Sequence, residues 1–177
     1  VLIRLNFEQL ALLVVVLSKW RMFAVRPRFW PANIRANAVD LMVGIPIVLF
    51  MLETDSFIWQ LGWAVLYSIW LMAIKPRSGV AAITAQAFIG QLSALMALYT
   101  TWADGPRAAL ALLTGIFCFL AARHFFDAFE EQYAKMLSYI WGYFGAALAW
   151  LLSHWLLFYG EVSQVALLLS TLGYGMA

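Results

Sequence analysis

Seven apolar stretches follow one another along the chain, and short polar gaps separate them. The predicted spans are residues 2–20, 36–52, 57–74, 79–102, 106–126, 134–159 and 162–177. Most of them approach the roughly 20 apolar residues that a helix needs to cross the hydrocarbon core of a bilayer. The pattern therefore predicts an all-α fold, a bundle of seven transmembrane helices that forms a single domain over residues 1–177.

The first span is the weakest of the seven, because Arg4 and Glu8 lie near its start and only residues 10–17 are unbroken. A bundle of six helices is the alternative if this stretch is not retained. A signal peptide has a similar apolar core, but the basic residues Lys19 and Arg21 follow here instead of a cleavage site with small residues. We therefore expect a retained span.

The polar gaps carry residues that end helices and turn the chain. Pro or Gly stands in the first, third, fourth and sixth gaps, and Asp55 marks the second. The fifth connection, from Arg123 to Lys135, has neither, so we expect it to stay helical. Gly44 and Pro46 inside the second span predict a kink, because proline removes a helix hydrogen bond.

Positive charge is concentrated on one side of the predicted bundle. The gaps after the first, third and fifth spans hold Lys19, Arg21, Arg26, Arg28, Arg35, Lys75, Arg77, Arg123 and Lys135, and the other side holds Arg4 and Arg107. Nine basic residues against two indicate that those three gaps face the cytoplasm. The tryptophans near the span ends agree with this assignment. We predict an external N-terminus and a cytoplasmic C-terminus.

The composition excludes an ordinary soluble domain. Hydrophobic residues make up 65% of the chain and charged residues 11%, against about 25% charged in soluble domains. The net charge is only +2, and no basic run with interleaved aromatics predicts a nucleic-acid partner. The expected location is integral and multi-pass, in the inner or plasma membrane if the source is a bacterium. The expected partners are the lipid bilayer and either further copies of the chain or other membrane subunits.

The middle of every predicted span lacks Asp, Glu, Lys and Arg. This argues against coupling to protons or sodium, which usually needs an intramembrane carboxylate. The single cysteine, Cys118, permits neither an intrachain disulfide nor a cysteine metal site. No catalytic triad, phosphate-binding glycine loop or zinc-protease sequence is present. We expect no catalytic residue, metal or cofactor, and no motif identifies a family.

Small residues recur at helical spacing on four spans, a pattern that lets helix backbones approach closely in lipid. The stripes are Ala82, Gln86, Gly90, Ser93, Ala97 and Thr100 in the fourth span, Ala111, Gly115, Cys118 and Ala122 in the fifth, Gly142, Gly145, Ala149 and Ser153 in the sixth, and Ser163, Ala166, Ser170 and Gly173 in the seventh. Helix packing is their plain interpretation. The alternative is a polar path along the fourth span, with Gln86, Ser93 and Thr100 as its polar groups.

The best polar cluster lies at the predicted cytoplasmic edge. Its members are Asn33, Asn37 and Asp40, at i, i+4 and i+7 where the second span enters the membrane, and His124, Asp127 and Glu131, at i, i+3 and i+7 on the extended end of the fifth span. An unpaired carboxylate inside the membrane is disfavoured, so Arg35, Arg77 or Arg123 is expected to pair with Asp40. We favour an interfacial salt-bridge network, because no recognised metal spacing supports a divalent-cation site, the alternative.

Three functions stay open at this point. The favoured one is a small uncoupled transporter or channel with the fourth span along its path. The second is a non-catalytic membrane subunit or scaffold of a larger complex. The third is a membrane enzyme that acts on a lipid at the cytoplasmic face. The side chains that would carry the enzyme's chemistry are Asp40, His124, Asp127 and Glu131.

Overall fold

Helices account for most of the chain in the computed structural model, which describes residues 2–5, 7–129 and 131–175. Seven α-helices lie in these residues: α1 Glu8–Leu17, α2 Trp30–Leu52, α3 Phe57–Ile69, α4 Val80–Trp102, α5 Arg107–Ala128, α6 Ala134–Leu152 and α7 Gln164–Gly175. Short 3₁₀ turns lie at Ile3–Leu5, Trp20–Phe23, Pro27–Phe29 and Ser153–Trp155, and a π-helical turn, Trp70–Ile74, extends α3. The hairpin strands are β1 Phe158–Tyr159 and β2 Val162–Ser163.

Five of the described helical segments are long and apolar enough to cross a membrane. They are Pro27–Leu52, Phe57–Ile74, Val80–Trp102, Arg107–Ala128 and Ala134–Trp155. The all-helical fold with several candidate spans is thus confirmed. At about 1.5 Å per residue, α1 with 10 residues and α7 with 12 measure about 15 and 18 Å, short of a core of about 30 Å. The count of seven spans and their orientation stay predictions.

Several helix boundaries differ from the predicted ones. α2 begins at Trp30 rather than at residue 36, because Pro31 lies in the first helical turn, where a missing N–H loses no intrahelical bond. The expected continuous helix from Arg123 to Lys135 is wrong: α5 ends at Ala128, and α6 begins at Ala134. Residue 130, within that connection, lies outside the described residues.

The predicted sixth span, residues 134–159, is too long at its end. α6 stops at Leu152, and one 3₁₀ turn leads into the hairpin. Gly160 turns the hairpin with φ 64°, a left-handed conformation that glycine adopts without a steric penalty. α7 begins directly after the hairpin, and the backbone N–H of its first residue, Gln164, donates to the carbonyl of Leu157 at 2.8 Å.

The glycine stripes bring α5 and α6 into close contact. A Cβ placed on Gly145 would lie 2.7 Å from Sγ of Cys118, and one on Gly142 would lie 3.0 Å from the carbonyl oxygen of Gly115. These short separations mean that backbone meets backbone or a small side chain, which maximises dispersion contact between helices. The packing interpretation of the stripes in the fifth and sixth spans is confirmed at these four positions.

α4 lies between α2 on one side and α5 and α7 on the other. Gly90 of α4 accepts the side chain of Val39 from α2, since a Cβ there would lie 2.8 Å from Cγ1 of Val39. On its other side, Gln91 Nε2 donates to the carbonyl of Leu169 in α7 at 3.0 Å. Gln91 Oε1 accepts from Nε1 of Trp141 in α6 at 3.0 Å. The buried polar atoms of Gln91 therefore tie three helices together.

α1 and α3 flank α2. Val39, Val43 and Ile47 of α2 form one buried apolar cluster with Trp70 at the end of α3. In Phe57–Ile69 itself no residue is buried. α1 and α3 therefore contact the bundle chiefly through α2, and the π turn at the end of the α3 segment also reaches α4.

Candidate functional site

A buried carboxylate joins three segments at one end of the bundle. Asp40 on α2 is 7% exposed. One of its oxygens accepts a hydrogen bond at 2.7 Å from Nζ of Lys19, which follows α1, and another from Nζ of Lys75, which follows the π turn. Nε1 of Trp70 lies 3.4 Å from the second oxygen. We call these four residues the Asp40 cluster, and the end where they lie the basic end.

The prediction that Asp40 pairs with an arginine is wrong, because its partners are two lysines. The π turn is closed by a hydrogen bond of 2.9 Å from the amide of Lys75 to the carbonyl of Trp70. The π turn brings the side chains of Trp70 and Lys75 to the same carboxylate, that of Asp40. In the sequence, Lys75 directly follows an apolar stretch and Lys19 follows one after Ser18, so both lysines lie at the ends of predicted spans.

The two lysines share one carboxylate and respond differently to it. Burial lowers the pKa of Lys19 below its ordinary value, although the hydrogen bond with Asp40 acts in the opposite direction. Burial acts in the same direction on Lys75, but the hydrogen bond to Asp40, the contact with Lys19 and the nearby charge of Asp40 together outweigh it, so the pKa of this lysine is raised. With both ammonium groups protonated, the Asp40 cluster carries one excess positive charge.

A second polar contact at the basic end connects Gln86 of α4 with His124 of α5. Gln86 Nε2 donates to the carbonyls of Ile74 and Arg77, each at 2.9 Å. A carbonyl oxygen only accepts hydrogen bonds, so the amide nitrogen of Gln86 must face the two carbonyls and Oε1 must face His124. His124 Nε2, at 2.9 Å, therefore donates to Oε1 of Gln86. Gln86 thus binds the end of the α3 segment to α5.

Two other members of the predicted polar cluster, Asn37 and Asp127, bond within their own helices. Asn37 Nδ2 donates to the carbonyl of Asn33 at 2.9 Å, within α2. Asp127 Oδ1 pairs with Nη2 of Arg123 at 2.8 Å, one turn away on α5. Glu131 is exposed and lies beyond the end of α5, so the predicted shared face with His124 and Asp127 is wrong.

This arrangement favours the salt-bridge network over a cation site. Asp40 and Asp127 both pair with basic side chains. Among the described residues, no three His, Cys, Asp or Glu side chains are grouped so that they could hold a metal ion. Arg123 Nε and Nη1 are buried and have no hydrogen-bond partner in the described part of the chain, which adds a cost at the end of α5.

The proposed polar-path residues use their hydrogen-bonding atoms inside the bundle. Ser93 Oγ lies 2.9 Å from the carbonyl of Met42 in α2, and Thr100 Oγ1 donates to Met96 of its own helix at 2.9 Å. Together with Gln86 they line neither of the two cavities described below. A path for solutes along them stays a prediction.

The largest of these cavities lies between α2, α4 and α5 and has a volume of about 560 Å³. It is lined by Ile34, Ala38, Leu41, Met42, Ile45, Pro46 and Leu49 of α2, Ala94, Ala97, Leu98, Thr101 and Trp102 of α4, and Phe117 and Leu120 of α5. From Ile34 to Leu49 the cavity follows α2 for about 22 Å. Its walls are almost entirely hydrocarbon, and no sequence motif predicted it.

The comparisons with known proteins leave these features to be interpreted on their own. No protein-family model matches the chain, and neither the curated proteins nor the solved structures yield a match.

Proposed function

We propose that the protein is an integral membrane carrier, not coupled to ions, for an amphipathic molecule whose hydrocarbon part occupies the α2–α4–α5 cavity. The observation that carries this proposal is the cavity itself, about 560 Å³ with apolar walls along three candidate membrane spans. An apolar volume bounded by spanning helices accommodates hydrocarbon, because a buried polar group without a partner there is costly.

The arrangement of charge supports the absence of ion coupling. The buried carboxylate Asp40 is held by Lys19 and Lys75, and both lysines have their hydrogen bonds with it. A carboxylate that cycles protons or binds sodium must exchange its partners. The amphipathic substrate is therefore proposed to move by its own concentration gradient, with its hydrocarbon part among Ala97, Leu98 and Phe117.

Filling the cavity tests the proposal. In Ala97→Leu, the added carbons displace about two methylenes of the bound chain, at about 0.8 kcal/mol each, so photolabelling of the protein by a diazirine-bearing fatty acid falls about tenfold or more. The matched control is Ala147→Leu on the exposed face of α6, which leaves labelling unchanged. Equal labelling of both variants contradicts the proposal.

Transport is measured with the same variants reconstituted in phosphatidylcholine vesicles. A fluorescent lysophospholipid in the inner leaflet becomes accessible to external dithionite faster with the wild-type chain than in empty vesicles, and Ala97→Leu slows this step. Release of trapped potassium or carboxyfluorescein instead indicates a channel. Photolabelling without any transport of the lysophospholipid overturns the carrier and leaves a lipid-binding membrane subunit.

The subunit alternative also has an observation of its own. α3 has no buried residue, and Ile58 and Trp59 are 78% and 67% exposed. We propose, as the second candidate function, that another membrane protein covers the exposed surface of α3. Val65→Cys, at a position 51% exposed on α3, is then cross-linked to a second protein in native membranes, whereas Ala147→Cys on α6 is not. The natural Cys118 is buried and does not interfere.

A further inference from the structure

A second cavity, of about 110 Å³, lies between α4, α5, α6 and α7, away from the α2–α4–α5 cavity. We call it the Ser170 cavity. Much of its wall is aromatic, from Phe88, Phe125, Phe126, Trp141 and Tyr174. Among the described residues that line it, none carries a charge. Its polar wall includes Ser170 and Gln91, on facing helices α7 and α4.

Ser170 has an unusual environment for a helical serine. It is 3% exposed, and its Oγ has no hydrogen-bond partner in the described part of the chain. The neighbouring Thr171 and the buried Ser138 both donate to the carbonyl four residues earlier, at 2.7 and 2.6 Å. A buried hydroxyl that makes no such bond is costly, and a ligand atom that accepts a hydrogen bond from Ser170 Oγ would remove this cost.

Gln91 offers a second donor on the opposite wall. Its Oε1 accepts from Trp141, and its Nε2 donates one hydrogen to the carbonyl of Leu169. An amide nitrogen has two hydrogens, so one remains for a further acceptor. Gly173 keeps this region open, because a Cβ there would lie 3.2 Å from the Trp141 ring and 3.4 Å from Gln91 Nε2.

We propose that the Ser170 cavity binds a small, neutral molecule that contains an unsaturated ring and a carbonyl oxygen. The aromatic walls pack against the ring, and Ser170 Oγ donates a hydrogen bond to the oxygen. The absence of charged side chains among the lining residues disfavours ions, because nothing there repays their desolvation. The site is independent of the proposed carrier, since the two cavities share no lining residue.

The test compares two probes of nearly the same shape, 4-fluoroacetophenone and 1-ethyl-4-fluorobenzene, which lacks the carbonyl. Each is added to the wild-type chain in lipid nanodiscs, and ¹⁹F NMR separates protein-bound probe from probe dissolved in lipid, with empty nanodiscs as reference. We expect a saturable, protein-dependent signal for the ketone, with an affinity about tenfold above that of the hydrocarbon.

The variants then locate the site. Ser170→Ala lowers the affinity for the ketone about tenfold without changing that for the hydrocarbon, and Gly173→Leu abolishes binding of both probes. Thr171→Ala, on the exposed face of the same helix, leaves ketone binding unchanged, as does Ala97→Leu, so a failed carrier does not affect this result. Since Gly173→Leu fills a tight region, Ser170→Ala decides the case if Gly173→Leu fails to fold.

Three outcomes overturn the proposal. They are equal affinities for the ketone and the hydrocarbon, ketone binding that persists unchanged in Ser170→Ala, and binding of neither probe above the empty-nanodisc level. The last result favours an ordered water between Ser170 Oγ and Gln91 Nε2, the two polar groups that face the cavity.

Discussion

Replacing Asp40 by leucine is expected to lower the free energy of unfolding by about 3–5 kcal/mol, the largest effect that we predict for a single substitution. Leucine has the branched shape of aspartate, with two methyl groups in place of the two oxygens, so the main change is the loss of the negative charge. The cost arises because the ammonium group of Lys19, whose side chain is 11% exposed, is left buried without its carboxylate. Lys75, with a side chain 38% exposed, can turn towards water and contributes less.

A triple variant separates the loss of the ion pairs from damage to the fold. Lys19→Met, Asp40→Leu and Lys75→Met together remove every charge of the Asp40 cluster, so most of the lost stability returns. Asp127→Asn is the control, because the Asp127 side chain is 43% exposed and the amide oxygen of asparagine can still accept a hydrogen bond from Arg123, so the cost is about 1 kcal/mol or less. Unfolding is followed by circular dichroism during titration of mixed micelles with a denaturing detergent. Asp40→Leu within 1 kcal/mol of the wild type contradicts a structural role for the cluster.

The second large effect is expected at the contact of α5 with α6, where Gly145→Ala lowers the free energy of unfolding by about 2–3 kcal/mol. The new methyl group would lie 2.7 Å from Sγ and 3.0 Å from Cβ of Cys118, so the helices must separate along the whole contact. Alanine is otherwise the better helix former, by about 1 kcal/mol over glycine. The steric cost must therefore exceed this gain.

Two further variants make the interpretation specific. Gly62→Ala on α3 meets nothing within 4 Å and stabilises the protein by up to about 1 kcal/mol. Cys118→Gly removes the group that the new methyl group meets, so in the double variant with Gly145→Ala the cost of the alanine shrinks to well below its value in the wild-type background. The same detergent titration measures the free energy of unfolding of the wild type, the three single variants and the double variant. An unchanged cost in the double variant would show that Cys118 is not the limiting contact.

The sequence predicted the glycine contact because both helices display their small residues on one face at helical spacing. Gly142 and Gly145 of α6 meet Gly115 and Cys118 of α5, as that periodicity indicated. The small residues of α7 were singled out in the same way, but the unpartnered hydroxyl of Ser170 was not foreseen. A stripe indicates that another helix comes close, and it does not say which hydrogen bonds are made across the contact.

The polar candidates were predicted less well. Asp40 was expected to be paired, and it is, but with Lys19 and Lys75 instead of an arginine. Glu131 was placed on a helix that has already ended at Ala128. Both errors concern the connections, where chain direction depends on turns of a few residues.

The sequence by itself determined that this is an all-helical chain with several segments able to span a membrane, since span length, hydropathy and small-residue periodicity are local properties. It also located the basic residues that favour one orientation. Only the tertiary structure decided which lysines bind Asp40 and where the two cavities lie. It also decided that Gln86 and Ser93 donate hydrogen bonds to backbone carbonyls of neighbouring segments. In lipid, apolar faces do not identify their partners by hydrophobicity, so the lateral arrangement of helices depends on close packing and a few hydrogen bonds.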